Sequence, residues 1–237
     1  NMTSVILLAG GLGKRLGGLT KATPKPLIKI NKIPFIKYQL DMLKKQGFRD
    51  IVICAGYLNE MFYDQIGNGK EYDINIKYSI DFPKLLGTGG AIKKALPLVT
   101  NNFFIMYADS YLRVNLCDVL DKFKKSKKNL LMTIFKNENN FDKSNIEIKE
   151  DYVIYNKKFP NKKMNYIDYG LSIANKNAFT SMFNDKFDYS ELLELESLNK
   201  NIIAFEVKKR FYEIGTLSGL KEFEKFIKNN NIDYKLF

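Results

Sequence analysis

The chain has 237 residues, 45% of them hydrophobic and 27% charged, enough for one compact domain with a real core. Its net charge of +12 is spread through lysine- and asparagine-rich stretches such as Lys124-Lys125, Lys127-Lys128 and Asn229-Asn230-Asn231. No recognition helix or aromatic RNA-binding signature accompanies them, so no nucleic-acid partner is expected. The absence of histidine excludes any mechanism that needs imidazole, and no apolar run approaches the length of a membrane span.

Val5-Ile6-Leu7-Leu8 predicts a strand over about 4–8, running into a glycine-rich loop. Leu27 to Ile30 reads as a short extended piece with a turn at Asn31-Lys32. Ile36, Leu40 and Leu43 recur at helical spacing and Gly47 is a good stop, so 35–46 is expected to be a helix. A buried strand at 51–54, a helix near 59–66 and an alternating strand from Ile74 to Ile80 follow. Asn102 to Tyr107 reads as a strand ending at Asp109, and a helix is expected near 115–126.

Beyond that helix the pattern changes. Strands are read at Leu130–Phe135, Asn145–Lys149, Tyr152–Asn156 and Tyr166–Ile173, with few helices between them. Helices near 176–183 and 190–199, a strand at 202–207 and a last helix near 217–228 complete the chain. Leu217, Leu220, Phe223 and Ile227 mark the buried stripe of that last helix, with Thr216 as its N-cap. The alternation predicts an α/β fold: a Rossmann-like, mixed, mostly parallel sheet with helices on both faces and a small antiparallel acceptor lobe over one end. One domain over 1–237 is expected, with a first lobe at about 1–128 and a second at about 129–237. Cys54 and Cys117 lack metal-ligand spacing and read as free thiols of a reducing, cytoplasmic setting.

The stretch Leu8-Ala9-Gly10-Gly11-Leu12-Gly13-Lys14-Arg15-Leu16, continued to Pro24-Lys25-Pro26-Leu27, carries the chemistry. Glycines let backbone N–H groups turn inward, and such a nest favours phosphate. Lys14, Arg15, Lys21 and Lys25 add positive charge, and prolines on both sides restrict the backbone of Lys25. The loop is built to hold a polyphosphate. It is neither of two familiar glycine motifs. Leu16 stands where the dinucleotide fingerprint wants its third glycine, and Leu8 and Arg15 break the P-loop pattern.

What remains, L-A-G-G-x-G-x-R-L-x-x-L-T-x-x-x-P-K-P-L, resembles the signature of the sugar-1-phosphate nucleotidylyltransferases, or nucleotide-sugar pyrophosphorylases. The resemblance implies transfer of a nucleotidyl group from a nucleoside triphosphate to a sugar 1-phosphate, with pyrophosphate leaving. It assigns catalysis to Arg15 and Lys25, and nucleotide binding to Leu8, Ala9, Gly10, Gly11, Gly13, Lys14, Gly87, Thr88 and Gly89. Leu86-Gly87-Thr88-Gly89-Gly90-Ala91 looks most like bacterial mannose- or heptose-1-phosphate guanylyltransferases, pointing to GTP. Asp109, ending an apolar strand, matches the family's aspartate for Mg²⁺. Glu213, in Phe211-Tyr212-Glu213-Ile214-Gly215-Thr216, stands in the place of the commoner second Asp, in contact directly or through water.

Tyr155-Asn156-Lys157 lies where the family has Glu-Lys, so Lys157 is expected at the acceptor phosphate, with Asn156 beside it and Lys158 adjacent. Asp168 and Gly170 resemble the family's N-A-G segment at the sugar. Alternatives from the residues are a pyrimidine nucleotidyltransferase acting on another phosphate, a nucleotide-sugar glycosyltransferase and a non-catalytic nucleotide sensor. A glycosyltransferase would normally show Asp-x-Asp, whereas this chain has Asp109-Ser110-Tyr111. No membrane partner is expected, and a homo-oligomer is left open.

Overall fold

Ser4–Leu8 forms the first strand, β1, and its alternation sets the layers of the molecule. Val5 and Leu7 point into one apolar cluster and Ile6 into another on the opposite face, as the two-residue period of a strand requires. A strand buried on both faces needs such a continuous apolar run. The structure, a computed structural model, describes residues 2–11, 14–137, 140–230 and 232, with only the backbone of Lys14 and Arg15.

A 3-10 run at Lys14–Thr20 and a 3-10 turn at Lys25–Leu27 lead into a tight hairpin, β2 (Lys29–Ile30) and β3 (Ile33–Pro34). Asn31 and Lys32 both take positive φ, 49° and 69°, as the favoured two-residue hairpin turn demands. Then come α1 (Phe35–Lys45), β4 (Asp50–Ala55), α2 (Glu60–Ile66) and β5 (Asn75–Ile80). Next are α3 (Gly87–Ala95), β6 (Asn102–Tyr107), β7 (Ser110–Tyr111) and α4 (Leu116–Ser126). The second half holds β8 (Leu130–Lys136), β9 (Ile146–Lys149), β10 (Tyr152–Tyr155) and β11 (Tyr166–Asn175). It ends with α5 (Tyr189–Leu198), β12 (Ile202–Glu206), β13 (Tyr212–Glu213) and α6 (Leu217–Asn229).

One nine-stranded sheet runs in the order β5-β4-β1-β6-β11-β8-β12-β10-β9. The first four strands are parallel. β11 is antiparallel to both β6 and β8, and β12 lies parallel to β8. Leu40 of α1, Phe62 of α2 and Leu116 of α4 pack on one face, Ile92 of α3 and Leu192 of α5 on the other. The mixed α/β fold with helices on both faces is therefore as expected. The acceptor strands differ: rather than capping one end, they prolong the same sheet, because β11 pairs with β6 from Leu171 to Asn175.

Two further expectations are corrected. The helix near 176–183 is a single 3-10 turn, Lys176–Phe179. Asn175 accepts the Asn177 N–H and the Thr180 hydroxyl donates to the Asn177 carbonyl, so local side-chain bonds compete with a continuing helix. On α6, Phe223 and Ile227 are buried against Phe35 and Tyr38 of α1, but Leu217, in the first turn, is exposed. Thr216 does cap the helix, accepting from Gly219 N at 3.1 Å.

Candidate active site

The parallel strands β5, β4, β1 and β6 all end at one edge, and a cavity of about 380 Å³ opens there. This is where ligands bind in open α/β sheets. Leu8, Ala9, Gly10 and Gly11 form one wall. The chain leaves β1 between its neighbours, with Ala9 N donating to Cys54 O at 2.8 Å and Ala108 N to Leu8 O at 3.0 Å. A Cβ added to Gly11 would meet nothing within 4 Å, so what Gly11 offers the cavity is bare backbone.

Lys25 and Asp109 form the second wall. The Pro24–Leu27 turn, closed by Leu27 N to Pro24 O at 2.9 Å, presents the lysine. Its Nζ lies 3.1 Å from Asp109 Oδ2, with side-chain exposures of 13% and 31%. Asp109 follows β6, and its carbonyl accepts from Ile214 N at 3.0 Å. β13 pairs with β7 so that Glu213 faces Ser110, next to Asp109. The Glu213 carboxylate has partners of its own, Gly215 N at 2.6 Å and the Thr216 hydroxyl at 3.2 Å, and it does not line the cavity.

These residues fit a metal ion of one kind only. Among the described residues no cluster of three or more His, Cys, Asp or Glu side chains could cage an ion. Asp109 Oδ1, however, has among the described residues only a long bond from the Ser110 hydroxyl at 3.4 Å. A hard cation that keeps most of its waters and takes its other ligands from substrate phosphates needs little more.

The third wall comes from β4, β5, α3 and the start of α5: Cys54, Asp81, Leu85, Thr88, Ala91 and Asp188. Asp81 Oδ2 accepts from Leu86 N at 3.0 Å, which fixes the carboxylate beyond β5. Burial, aided by the charge of Asp81, pushes the Cys54 thiol up to about 12, so it stays protonated and is no nucleophile. Asp188 caps α5 in a capping box with Glu191. Burial raises its pKa, but hydrogen bonds from Ser190 and Thr88 and the charge of Lys157 hold it below the ordinary carboxylate value.

Eight of the expected residues line this cavity: Leu8, Ala9, Gly10, Gly11, Lys25, Gly87, Thr88 and Asp109. Gly89, grouped with them by resemblance, does not. Its N–H donates to Phe187 O at 3.0 Å, and a Cβ there would sit 2.2 Å from the Phe187 ring, so it serves close packing. Gly87 and Gly90 meet the same segment, so the glycine run opens α3 itself and seats residues 185–188 rather than preceding the helix. Gly13 and the side chains of Lys14 and Arg15 lie outside the described residues.

None of the four residues expected at the acceptor lines the cavity, but Lys157, Asp168 and Gly170 act on or lie near Tyr107 and Asp188 of its wall. Gly170, at φ 101°, faces the Tyr107 ring across the β6–β11 ladder, 3.7 Å from where its Cβ would be. Asp168 accepts the Gly170 N–H at 2.8 Å, and burial pushes its carboxyl up to about 6, against the pull of that bond and of Lys157. The Lys157 ammonium thus acts on both Asp168 and Asp188, while the backbone N–H of Lys157 donates to a Glu194 carboxylate oxygen at 3.1 Å. Asn156 turns its side-chain oxygen to Phe159 N at 2.9 Å, closing its own loop. Sequence reasoning missed Asp81 and Asp188. Asp81 ends an alternating strand as Asp109 does, so the same strand-end argument would have found it. Asp188 shows only a capping box, which says nothing of the cavity.

Residues 4–145 match the family model described as nucleotidyl transferase. The chain belongs to that family. This nucleotidyl transferase is 33% identical over 225 residues to the D-glycero-alpha-D-manno-heptose 1-phosphate guanylyltransferase of Aneurinibacillus thermoaerophilus, covering 93% of this chain and 96% of the relative. The enzyme of that name from Campylobacter jejuni is 33% identical over 196 residues, 80% of this chain and 84% of the other. Among solved structures, HddC from Yersinia pseudotuberculosis complexed with GMP-PN matches with a TM-score of 0.75 and 26% identity, over 95% of this chain and 100% of that one. The nucleotidyl transferase therefore has relatives at full length as well as over the glycine-rich half.

Proposed function

We propose that this enzyme transfers GMP from GTP to a heptose- or mannose-type 1-phosphate, giving the GDP-sugar and pyrophosphate. The observation that carries the reading is the meeting of Lys25 and Asp109, 84 positions apart, at 3.1 Å on the wall of the cavity that Gly10 and Gly11 also line. Two relatives, each matched over most of its length, bear guanylyltransferase names, which supports GTP and a heptose phosphate.

The reaction brings one anion onto another. An oxygen of the sugar phosphate attacks the α-phosphorus, a new P–O bond forms, and the bond to pyrophosphate breaks. Unit charges about 4 Å apart repel by roughly 4 kcal/mol at an effective dielectric near 20, so cations must offset several such terms. Lys25 meets the α-phosphate, Arg15 grips the departing phosphates with its fork of donors, and Lys157 holds the acceptor phosphate. Asp109, with Glu213 adjoining, would hold Mg²⁺, which when bound supplies charge neutralisation on the phosphates. No general base is needed, because a phosphate monoester with a second pKa of about 6 is mostly a dianion at neutral pH. Positioning and electrostatics carry the step.

The base is read at the other end of the cavity. Three strand spacings separate β6 from β5, about 14 Å, the reach of a nucleoside with its α-phosphate. There the Asp81 carboxylate stands among Leu85, Cys54 and Ala91. Guanine alone offers two adjacent donors, N1–H and N2–H, to such a carboxylate. Pyrophosphate release from a panel of triphosphates against sugar 1-phosphates tests the reading. GTP is expected to lead, with ITP, which lacks the 2-amino group, at least about 10-fold poorer, and Lys25→Ala about 10²-fold slower. A pyrimidine triphosphate outpacing GTP would overturn the base assignment. No release with any sugar phosphate would overturn the function.

A further inference from the structure

Gln39 lies on α1 with none of its surface exposed, between the buried Tyr38 and Leu40. Its Nε2 donates to the carbonyl of Tyr107 at 2.9 Å and to that of Ser110 at 2.6 Å. Those carbonyls stand on either side of Ala108 and Asp109, so one amide group spans the whole turn that carries Asp109. Its Oε1 has no partner among the described residues. The orientation is fixed by chemistry, since a flipped amide would set its oxygen against two carbonyl oxygens. A buried amide oxygen without a donor is destabilising, and an apolar side chain of similar volume would avoid that cost. The burden is therefore explained by what the two donated bonds achieve.

The same helix holds the other half of the ion pair. Phe35 N at its start donates to Ile28 O at 2.9 Å, and the Tyr38 hydroxyl donates to Ile30 O at 2.8 Å. Both bonds tie α1 to the segment that leaves the Pro24–Leu27 turn. One rigid helix thus grips the strand-end turn of Asp109 and the chain just after Lys25.

We infer that Gln39 is a positioning residue that clamps the Tyr107–Ser110 turn and so sets Asp109 for the metal-bearing triphosphate. The inference rests on the proposed role of Asp109. Gln39→Met keeps the volume and donates nothing. It is expected to fold, by far-UV circular dichroism and urea midpoint. It should raise the half-saturating Mg²⁺ and the Mn²⁺ dissociation constant of the GTP complex, read by electron paramagnetic resonance, about 10-fold each. kcat should fall by a similar factor, while KM for the sugar phosphate and metal-free GTP binding stay unchanged, a split that mere loosening of the core would not give. A folded Gln39→Met enzyme with normal metal response and kcat overturns the clamp. Should Gln39→Met fail to fold, Gln39→Asn, which keeps the amide but shortens its reach, is read the same way, and normal metal response there overturns it. Asp109→Asn is the separate control: full metal response in that variant removes the reading of Asp109 itself, whatever Gln39 does.

Discussion

Asp168 is a carboxylate whose surroundings cost it its charge. Burial lifts its pKa from an ordinary 3.8 to about 6, although Lys157 and the Gly170 N–H both favour the charged form. Between these values the native chain binds more protons than the unfolded one. The contribution of Asp168 to stability therefore falls as pH rises through about 4 to 6 and is level above that window. Asp188, Tyr107, Tyr155 and Tyr189 surround the same spot, and none supplies a positive charge. Asp168→Asn should be more stable than the parent at pH 7.5, with the gain shrinking as pH drops toward 4. Urea midpoints at several pH values measure this, and an equal offset at every pH would refute it. At this scale the sequence was legible where function crowds many residues into one segment, as around Gly10, Gly11 and Lys25. Gln39, Asp81 and Asp188 were not legible, because a single polar residue in a helix, strand end or cap has no pattern until the chain folds around it.

At the scale of elements, α3 shows why a motif and its mechanics can part. The glycine run was legible as a nucleotide-binding resemblance, yet its tightest contacts are with a segment about a hundred residues later. A Cβ on Gly90 would lie 2.2 Å from the backbone carbonyl of Asp185, and one on Gly89 2.2 Å from the Phe187 side chain. Backbone cannot yield as a side chain can. Gly90→Ala should therefore destabilise the fold by about 1–3 kcal/mol or more. Gly89→Ala should be partly rescued by Phe187→Leu, which does nothing for Gly90→Ala. Thermal melts of the four proteins decide it, and equal rescue of both would count against this packing. Strands with alternating or continuous apolar runs were found within a residue or two, since burial on two faces leaves its mark in composition. The segment 176–183 was misread because Asn175, Asn177 and Thr180 bond their own backbone, a local competition that apolar spacing does not report.

Across the whole molecule, the sheet crosses from the glycine-rich half to the C-terminal half without a break. Unfolding is then expected to be a single transition, with far-UV circular dichroism and tyrosine fluorescence coincident in urea. The chain has 14 tyrosines and no tryptophan, so the tyrosine signal reports on both halves. Separate midpoints would mean that the C-terminal half folds as its own unit. Among the described residues no helix is long and apolar enough to cross a membrane.

The pairing of β6 with β11 has one more outcome. Tyr107 and Asp109 stand at the end of β6 and beyond it, Asp168 and Gly170 on β11 just before its paired stretch, and backbone hydrogen bonds from Leu171 to Asn175 hold the two strands a rung apart, about 4.8 Å. An enzyme so built has no jaw to widen. On the proposed acceptor role of Lys157, Asp168 and Gly170, a bulkier sugar is expected to be admitted through changes in the connection from Tyr155 to Tyr166, which carries Lys157, while the ladder itself stays fixed.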